Sequence, residues 1–226
     1  MRLLASADVH GDREIYEWLL AVAQRERVDA IVLAGDLLGC PDGFDTPEEA
    51  QRHDADLLVD LLEQASAPVL YIMGNDDLVE LDSRVDRVRS VEQRRASIGK
   101  YSFVGYQYSL PFMGGTFEKP DAEIAADLER MTGLVDADTV FVSHSPAFGI
   151  LDPGIMEIQI GSRSLLAFLD AHPFRAHIHG HSHGGFGRDG RHFNVAAAAR
   201  WRAIIVDLET MGHRVVESRP GRSIGA

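Results

Sequence analysis

The sequence predicts an α/β protein built as a helix–sheet–sheet–helix sandwich, and three observations carry that prediction. The first half alternates short apolar runs of strand character with longer segments of helical periodicity. A second alternation starts near residue 101 and runs into a strand-rich end, which is more strand than one doubly wound sheet accommodates. Hydrophobic residues occupy 45 % of 226 positions, enough for one sizeable core.

RLLAS (2–6) reads as a buried strand, and Ile15, Trp18, Leu19 and Val22 then recur at helical spacing. AIVLA (30–34) is a second strand. A loop containing Pro41 and Pro47 follows, and Leu57, Leu58, Leu61 and Leu62 mark the next helix. PVLYIM (68–73) is a third strand, so the order implies right-handed βαβ units and a largely parallel sheet. YSFVGY (101–106) is a further strand, followed by a helix carrying Ile124, Leu128 and Met131 and by the strand TVFVS (139–143). Leu165, Leu166 and Leu169 belong to a last helix, and RAHIHG (175–180) leads out of another strand. RHFNV (191–195), AIIVDL (203–208) and HRVVES (213–218) complete the strand inventory. No linker, repeat or low-complexity tract interrupts the chain, so a single domain is expected over 1–226, with 209–226 as terminal strand and tail.

A net charge of −13 argues against a general binder of nucleic acid or of anionic membranes, and against a nuclease, each of which needs a basic face. The opening MRLLASADVHGD holds only a short apolar run broken by Ser6, too short for a signal-peptide core or a membrane span. Cys40 is the only cysteine, so no intrachain disulfide can form and a cytoplasmic location is expected. Cys40 itself is read as a buried spectator thiol.

Against this map, Asp8 and His10 follow the first strand, Gly35-Asp36 the second and Gly74-Asn75 the third. His144 follows TVFVS, and His181 and His183 follow RAHIHG. All stand beyond the carboxyl ends of predicted strands, the edge at which open α/β sheets bind ligands. Gly35 and Gly74 allow tight turns and close backbone approach there.

The ordered set Asp8-Val9-His10, Gly35-Asp36, Gly74-Asn75, Ser143-His144 and Gly180-His181-Ser182-His183 resembles the calcineurin-like metallophosphoesterases. IGKYSFVGYQYSLPF, SHSPAFGILD and IGSRSLLAF are most similar to the Icc-related branch, and the resemblance runs from residue 1 to about 208. It implies a four-layer α/β/β/α sandwich carrying two metal ions. Carried over, one ion takes Asp8, His10, Asp36 and His183, and the other takes Asp36, Asn75, His144 and His181, with Asp36 bridging. Four imidazoles among the seven residues favour Mn, Fe, Zn, Co or Ni over a calcium or magnesium cage, with Mn or Fe preferred. The implied activity is hydrolysis of a small phosphodiester, or less readily a monoester, by a metal-activated water. The alternative is a metal-binding scaffold or protein-docking module that keeps the fold with little activity. Homo-oligomerisation is compatible with the sequence.

In GNDD (74–77), Asp76 stands where the fuller family pattern has a His that assists the leaving oxygen, and Asp77 keeps the position that would orient it. Both are candidate catalytic residues. His177 and His179 are expected to pack or hydrogen-bond rather than ligate, and His53, His172, His192 and His213 to lie on the surface or in loops. Asn194 reaches the site or is structural. Asp54, Asp56 and Asp60 read as a solvated helix face. Loops 39–47, Tyr106 to Phe117 and 145–160 form the expected rim, where Tyr106, Tyr108, Phe112 and Phe148 either stack on substrate or pack on the sandwich. Because His144 and His181 lie beyond strand ends, removing either side chain is expected to leave no core cavity.

Overall fold

Strands β1 (Arg2–Ser6), β2 (Ala30–Ala34), β3 (Val69–Ile72), β4 (Val88–Ser90), β11 (Arg202–Asp207) and β12 (His213–Glu217) form one six-stranded sheet in the order β12-β11-β1-β2-β3-β4. Strands β5 (Arg95–Ile98), β6 (Tyr101–Tyr106), β7 (Thr139–Ser143), β8 (Ala176–His179), β9 (Gly187–Asp189) and β10 (His192–Asn194) form the other, in the order β5-β6-β7-β8-β10-β9. Both sheets are mixed: parallel in the middle, with antiparallel pairs β1–β11, β11–β12, β5–β6 and β9–β10. The computed structural model describes residues 1–83, 85–112 and 114–218; the remainder of the expected tail, 219–226, lies outside the described residues.

Strand periodicity sorts the side chains into layers. Leu4 and Ile31, opposite each other on β1 and β2, face helices α1 (Arg13–Glu26) and α2 (Pro47–Leu62). Their neighbours Leu3, Ala5 and Val32 face the second sheet and meet Phe103, Val140, Val142 and Ile178 in the central core. Val104 and Phe141, partners on β6 and β7, turn outward to Leu128, Leu165 and Phe168 of helices α3 (Asp121–Met131) and α4 (Arg163–Ala171). The result is the expected α/β/β/α sandwich, with three apolar layers in which each buried Leu, Ile or Phe contributes about 1.5–3 kcal/mol.

Helix starts are chemically marked. Asp12, Thr46 and Ser162 cap α1, α2 and α4 by accepting the backbone N–H of Ile15, Glu49 and Leu165. Pro47 belongs to α2 and not to the loop expected around it: Thr46 supplies the cap, and proline at the first helical turn loses no intrahelical hydrogen bond. Three strands escape the sequence reading, β4, β5 and β9. They are three or four residues long and fully bury only Val88 among them, so no apolar alternation announces them.

Candidate metal centre

The carboxyl ends of β1, β2 and β3 in one sheet and of β7 and β8 in the other open onto a common edge. Asp8, His10, Asp36, Asn75, His144, His181 and His183 all lie there. Four of these seven, Asp8, His10, Asp36 and His181, hold left-handed backbone with φ of 55°, 51°, 52° and 63°. Such conformations cost a non-glycine residue roughly 1–2 kcal/mol each and persist where the surroundings enforce them, commonly at functional sites. Enforcement here is visible: the N–H groups of Val9 and His10 both donate to Asp36 O at 3.0 Å, and Asp8 N–H donates to Gly35 O at 2.9 Å. A Cβ at Gly35 would strike the His144 ring, and one at Gly74 would strike Asp36 Oδ1.

Donor atoms of Asp8, His10 and His183 lie within 4.8 Å of one another, as do those of Asp36, His144 and His181 and those of His10, Asp36 and Asp76. His183 Nε2 is 3.1 Å from Asp8 Oδ1. His144 Nε2 is 2.9 Å from Asn75 Oδ1 and 3.4 Å from Asp36 Oδ1. Asp36 Oδ2 faces the other way, 4.0 Å from His10 Nε2. Thus all seven residues come together, and Asp36 presents a different oxygen to each cluster.

The cleft, about 380 Å³, is lined by four of them, Asp36, Asn75, His181 and His183, and no Lys or Arg among the described residues lines it. Negative charge is balanced instead by a buried imidazole. Burial disfavours the charged form of His144, but Asp36 outweighs it and raises its pKa to about 10. Burial likewise opposes ionisation of Asp36, yet His144 and His10 lower its pKa. His181 is driven down to about 4 by burial and by His144, so it is neutral and free to ligate. Buried carboxylates, neutral imidazole and an amide oxygen fit a divalent transition ion.

This electrostatic arrangement predicts opposite pH trends for the two forms. The His144–Asp36 pair stabilises the metal-free chain fully between about 4 and 6.5, and that contribution is lost as pH rises through about 10. Metal must displace the His144 proton, so the rise in Tm produced by Mn²⁺ is expected to grow from pH 6.5 to 9 while the Tm of chelated protein falls. A metal-induced gain independent of pH would contradict this charge assignment.

Asp77 is fully buried and accepts the N–H groups of Leu37, Leu38 and Gly74 at 2.8–3.2 Å, and so ties the Asp36 loop to the Asn75 loop. Burial and the nearby Asp36 push its pKa up to about 7 against those hydrogen bonds. Its carboxylate orients backbone, not the neighbouring side chain. Asp77→Ala is therefore expected to cost about 2–4 kcal/mol by stranding buried amides, read as a lower urea midpoint. An unchanged midpoint would show that the amides find other acceptors. Asp76 is half-exposed; Asn75 Nδ2 donates to its Oδ1 at 2.7 Å, and its Oδ2 lies 3.8 Å from His10 Nδ1. In the metal-free chain burial and Asp36 raise its pKa.

The sequence matches the family profile described as calcineurin-like phosphoesterase over residues 1–185, a span that holds all seven residues. The chain belongs to that family. Its fold recurs in a solved crystal structure 14 % identical, with a TM-score of 0.79 and coverage of 96 % of this chain and 98 % of that one. TT1561 of Thermus thermophilus is 18 % identical, with a TM-score of 0.72 and coverage of 96 % and 99 %. A dimetal phosphatase from Danio rerio is 16 % identical, with a TM-score of 0.59 and coverage of 87 % and 86 %. No curated protein matches the chain in sequence.

Around the centre of this phosphoesterase, the four rim aromatics separate. Tyr106 is buried with its hydroxyl donating to Asp127 at 2.9 Å, Tyr108 lies under Lys119, and Phe148 lies under Arg163. Only Phe112 among them lines the cleft, joined by Pro153, Gly154 and Ile160 of the expected rim loop 145–160, within which no sequence signal singled them out. His177 and His179 are fully buried and lie outside the donor clusters found among the described residues: His177 Nε2 meets Ser143 Oγ at 2.7 Å and its Nδ1 meets His192 Nδ1 at 3.0 Å. His192 is thus a partly buried strand residue, and His213 is an exposed one.

Asn194 is structural, donating to Leu151 O and Ser182 O at 3.0 and 2.8 Å. Three expectations are corrected. Cys40 is exposed, because it follows the Asp36 loop outward. Asp54 is not simply solvated: it accepts Gly39 N–H at 2.8 Å, while Asp56 and Asp60 are exposed. His144 is fully buried, since both sheets close over the strand end, so its removal does leave a cavity.

Among the described residues no helix is long and apolar enough to cross a membrane.

Proposed function

We propose that this phosphoesterase is a dinuclear enzyme that hydrolyses a small phosphodiester. The supporting observation is Asp36, whose two oxygens face the two donor clusters, His144 on one side and His10 on the other. Asp8, His10, Asp36 and His183 would hold one ion, and Asp36, Asn75, His144 and His181 the other, with Mn or Fe the favoured metals. Bound there, the ions would activate water and neutralise the phosphoryl oxygens. The chain itself contributes alignment: Asp77 fixes two ligand loops, and the backbone hydrogen bonds of Asp8, Val9 and His10 hold the left-handed turn. Its lone cysteine fits a reducing compartment, and we place the protein in the cytoplasm.

A diester is favoured over a monoester by charge. Asp76 presents a carboxylate to a cleft lined by no Lys or Arg among the described residues, which penalises a dianionic monoester more than a monoanionic diester. Mn²⁺-loaded protein is expected to hydrolyse bis(p-nitrophenyl) phosphate with kcat/KM at least about 10-fold above that for p-nitrophenyl phosphate. Absence of metal-dependent hydrolysis of either compound would reject the reading.

Asp76 also bears on the leaving group. A carboxylate next to cations is a poor proton donor at neutral pH, whereas imidazole titrates there. Asp76→His is expected to raise turnover of an alkyl phosphodiester by about 10-fold or more relative to a nitrophenyl one, since general acid catalysis is worth about 10²–10⁴-fold for basic leaving groups. Equal effects on both would assign Asp76 a different role.

A further inference from the structure

We propose that Phe112 and the hairpin 151–160 form a subsite for an uncharged aromatic or aliphatic arm of the phosphodiester; this rests on the function proposed above. The cleft has two unlike walls. One carries the donor side chains, and the other carries Phe112, Pro153, Gly154 and Ile160. Phe112 is 54 % exposed and stands edge-on to His181, with ring centroids 6.0 Å apart. Beyond the cleft mouth the same hairpin exposes Met156 at 87 % and Ile158 at 65 %. Phe112 and Ile160 in the wall of a polar cleft, with Met156 and Ile158 exposed on the same hairpin, mark a binding surface rather than the scattered exposure ordinary for a protein surface.

This wall is built, not loose. The hairpin is closed by Gly154 N–H to Ile158 O at 2.7 Å and Ile160 N–H to Asp152 O at 3.1 Å. Buried Asp152 pins its neck by accepting Gly149 and Gly161 N–H at 2.9 and 3.2 Å. Ser182, between the two histidines His181 and His183, donates to Pro153 O at 2.8 Å, and Asn194 ties Leu151 O to Ser182 O. The Phe112 backbone is held by Glu118, which accepts its N–H at 2.9 Å. The apolar wall is therefore fixed relative to the donor residues, as a specificity surface requires. Among the described residues no Lys or Arg lines the cleft to partner a second anionic group on the arm, whereas an apolar arm meets Phe112 and Ile160.

The test uses two slow diesters of equal charge, dibenzyl phosphate and dimethyl phosphate, as ligands of Mn²⁺-loaded protein in calorimetric titrations. Dibenzyl phosphate is expected to bind at least about 10-fold tighter, and Phe112→Ala to remove most of that preference. Phe112 is exposed, so its truncation does not endanger folding; Ile160→Ala provides a second variant with the same expected direction. If bis(p-nitrophenyl) phosphate is hydrolysed but dibenzyl phosphate binds no tighter, or its preference survives both variants, the subsite is overturned and the function stands. If neither hydrolysis nor metal-dependent binding of either diester occurs, the functional reading fails and the subsite falls with it.

Discussion

Replacing Asp36 with alanine is expected to abolish hydrolysis, by about 10³-fold or more, and to reduce bound metal from two ions per chain to less than one. Each donor cluster loses an oxygen, because Asp36 Oδ1 faces His144 and Oδ2 faces His10. The fold should survive. His144 holds its proton against burial chiefly because of Asp36, with smaller help from Asp8 and Ala34 O, so removing that carboxylate favours the neutral imidazole and avoids an unpaired buried charge. The remaining cost is the Asp76 N–H, which donates to Asp36 Oδ1 at 2.9 Å and loses that acceptor, about 1–3 kcal/mol; the left-handed backbone at φ 52° is already carried by Asp36. Metal analysis, thermal melting and turnover on one preparation check all three. Two ions retained with normal turnover would remove Asp36 from the bridge.

His181→Ala and His144→Ala are expected to lose activity to the same extent but to differ in stability. His181 lies in the cleft wall, is neutral, and leaves space already open to solvent, so its removal should change Tm little. His144 is fully buried beneath Gly35 and beside Gly74, and its Nδ1 meets Ala34 O at 2.9 Å. Its loss leaves a cavity and a carbonyl without its partner, at a cost of about 2–4 kcal/mol. Activity lost in both, with stability lost only in His144→Ala, separates ligation from packing. Normal hydrolysis by His181→Ala at saturating Mn²⁺ would remove it from the site.

How far these residues were legible in the sequence depends on the kind of signal each carries. RLLAS, AIVLA and TVFVS match β1, β2 and β7 residue for residue, because strands buried on both faces read as unbroken apolar runs. The donor residues were legible because each sits directly after such a run, so that finding the strand finds the ligand. Short edge strands such as β9, with two of three residues exposed, carry no such pattern.

The rim loops that carry the apolar wall, and Phe112 in one of them, were legible, but not which residues of 145–160 form it. Pro153, Gly154 and Ile160 lie in a hairpin whose shape depends on Asp152, Ser182 and Asn194, contacts between segments far apart in the chain. Asp77 was visible as a motif residue, but its three amide partners lie on two loops brought together only by β2 and β3 pairing. Motif position identified the residue, and the tertiary pairing determined what it does.

The proposed dinuclear centre is tested most directly by titrating metal-free protein with Mn²⁺ and following the electron paramagnetic resonance spectrum. Two equivalents per chain, with an exchange-coupled signal that develops as the second ion binds and is absent in Asp36→Ala, is the predicted result. Saturation at one equivalent, or two ions with independent uncoupled spectra, would contradict it.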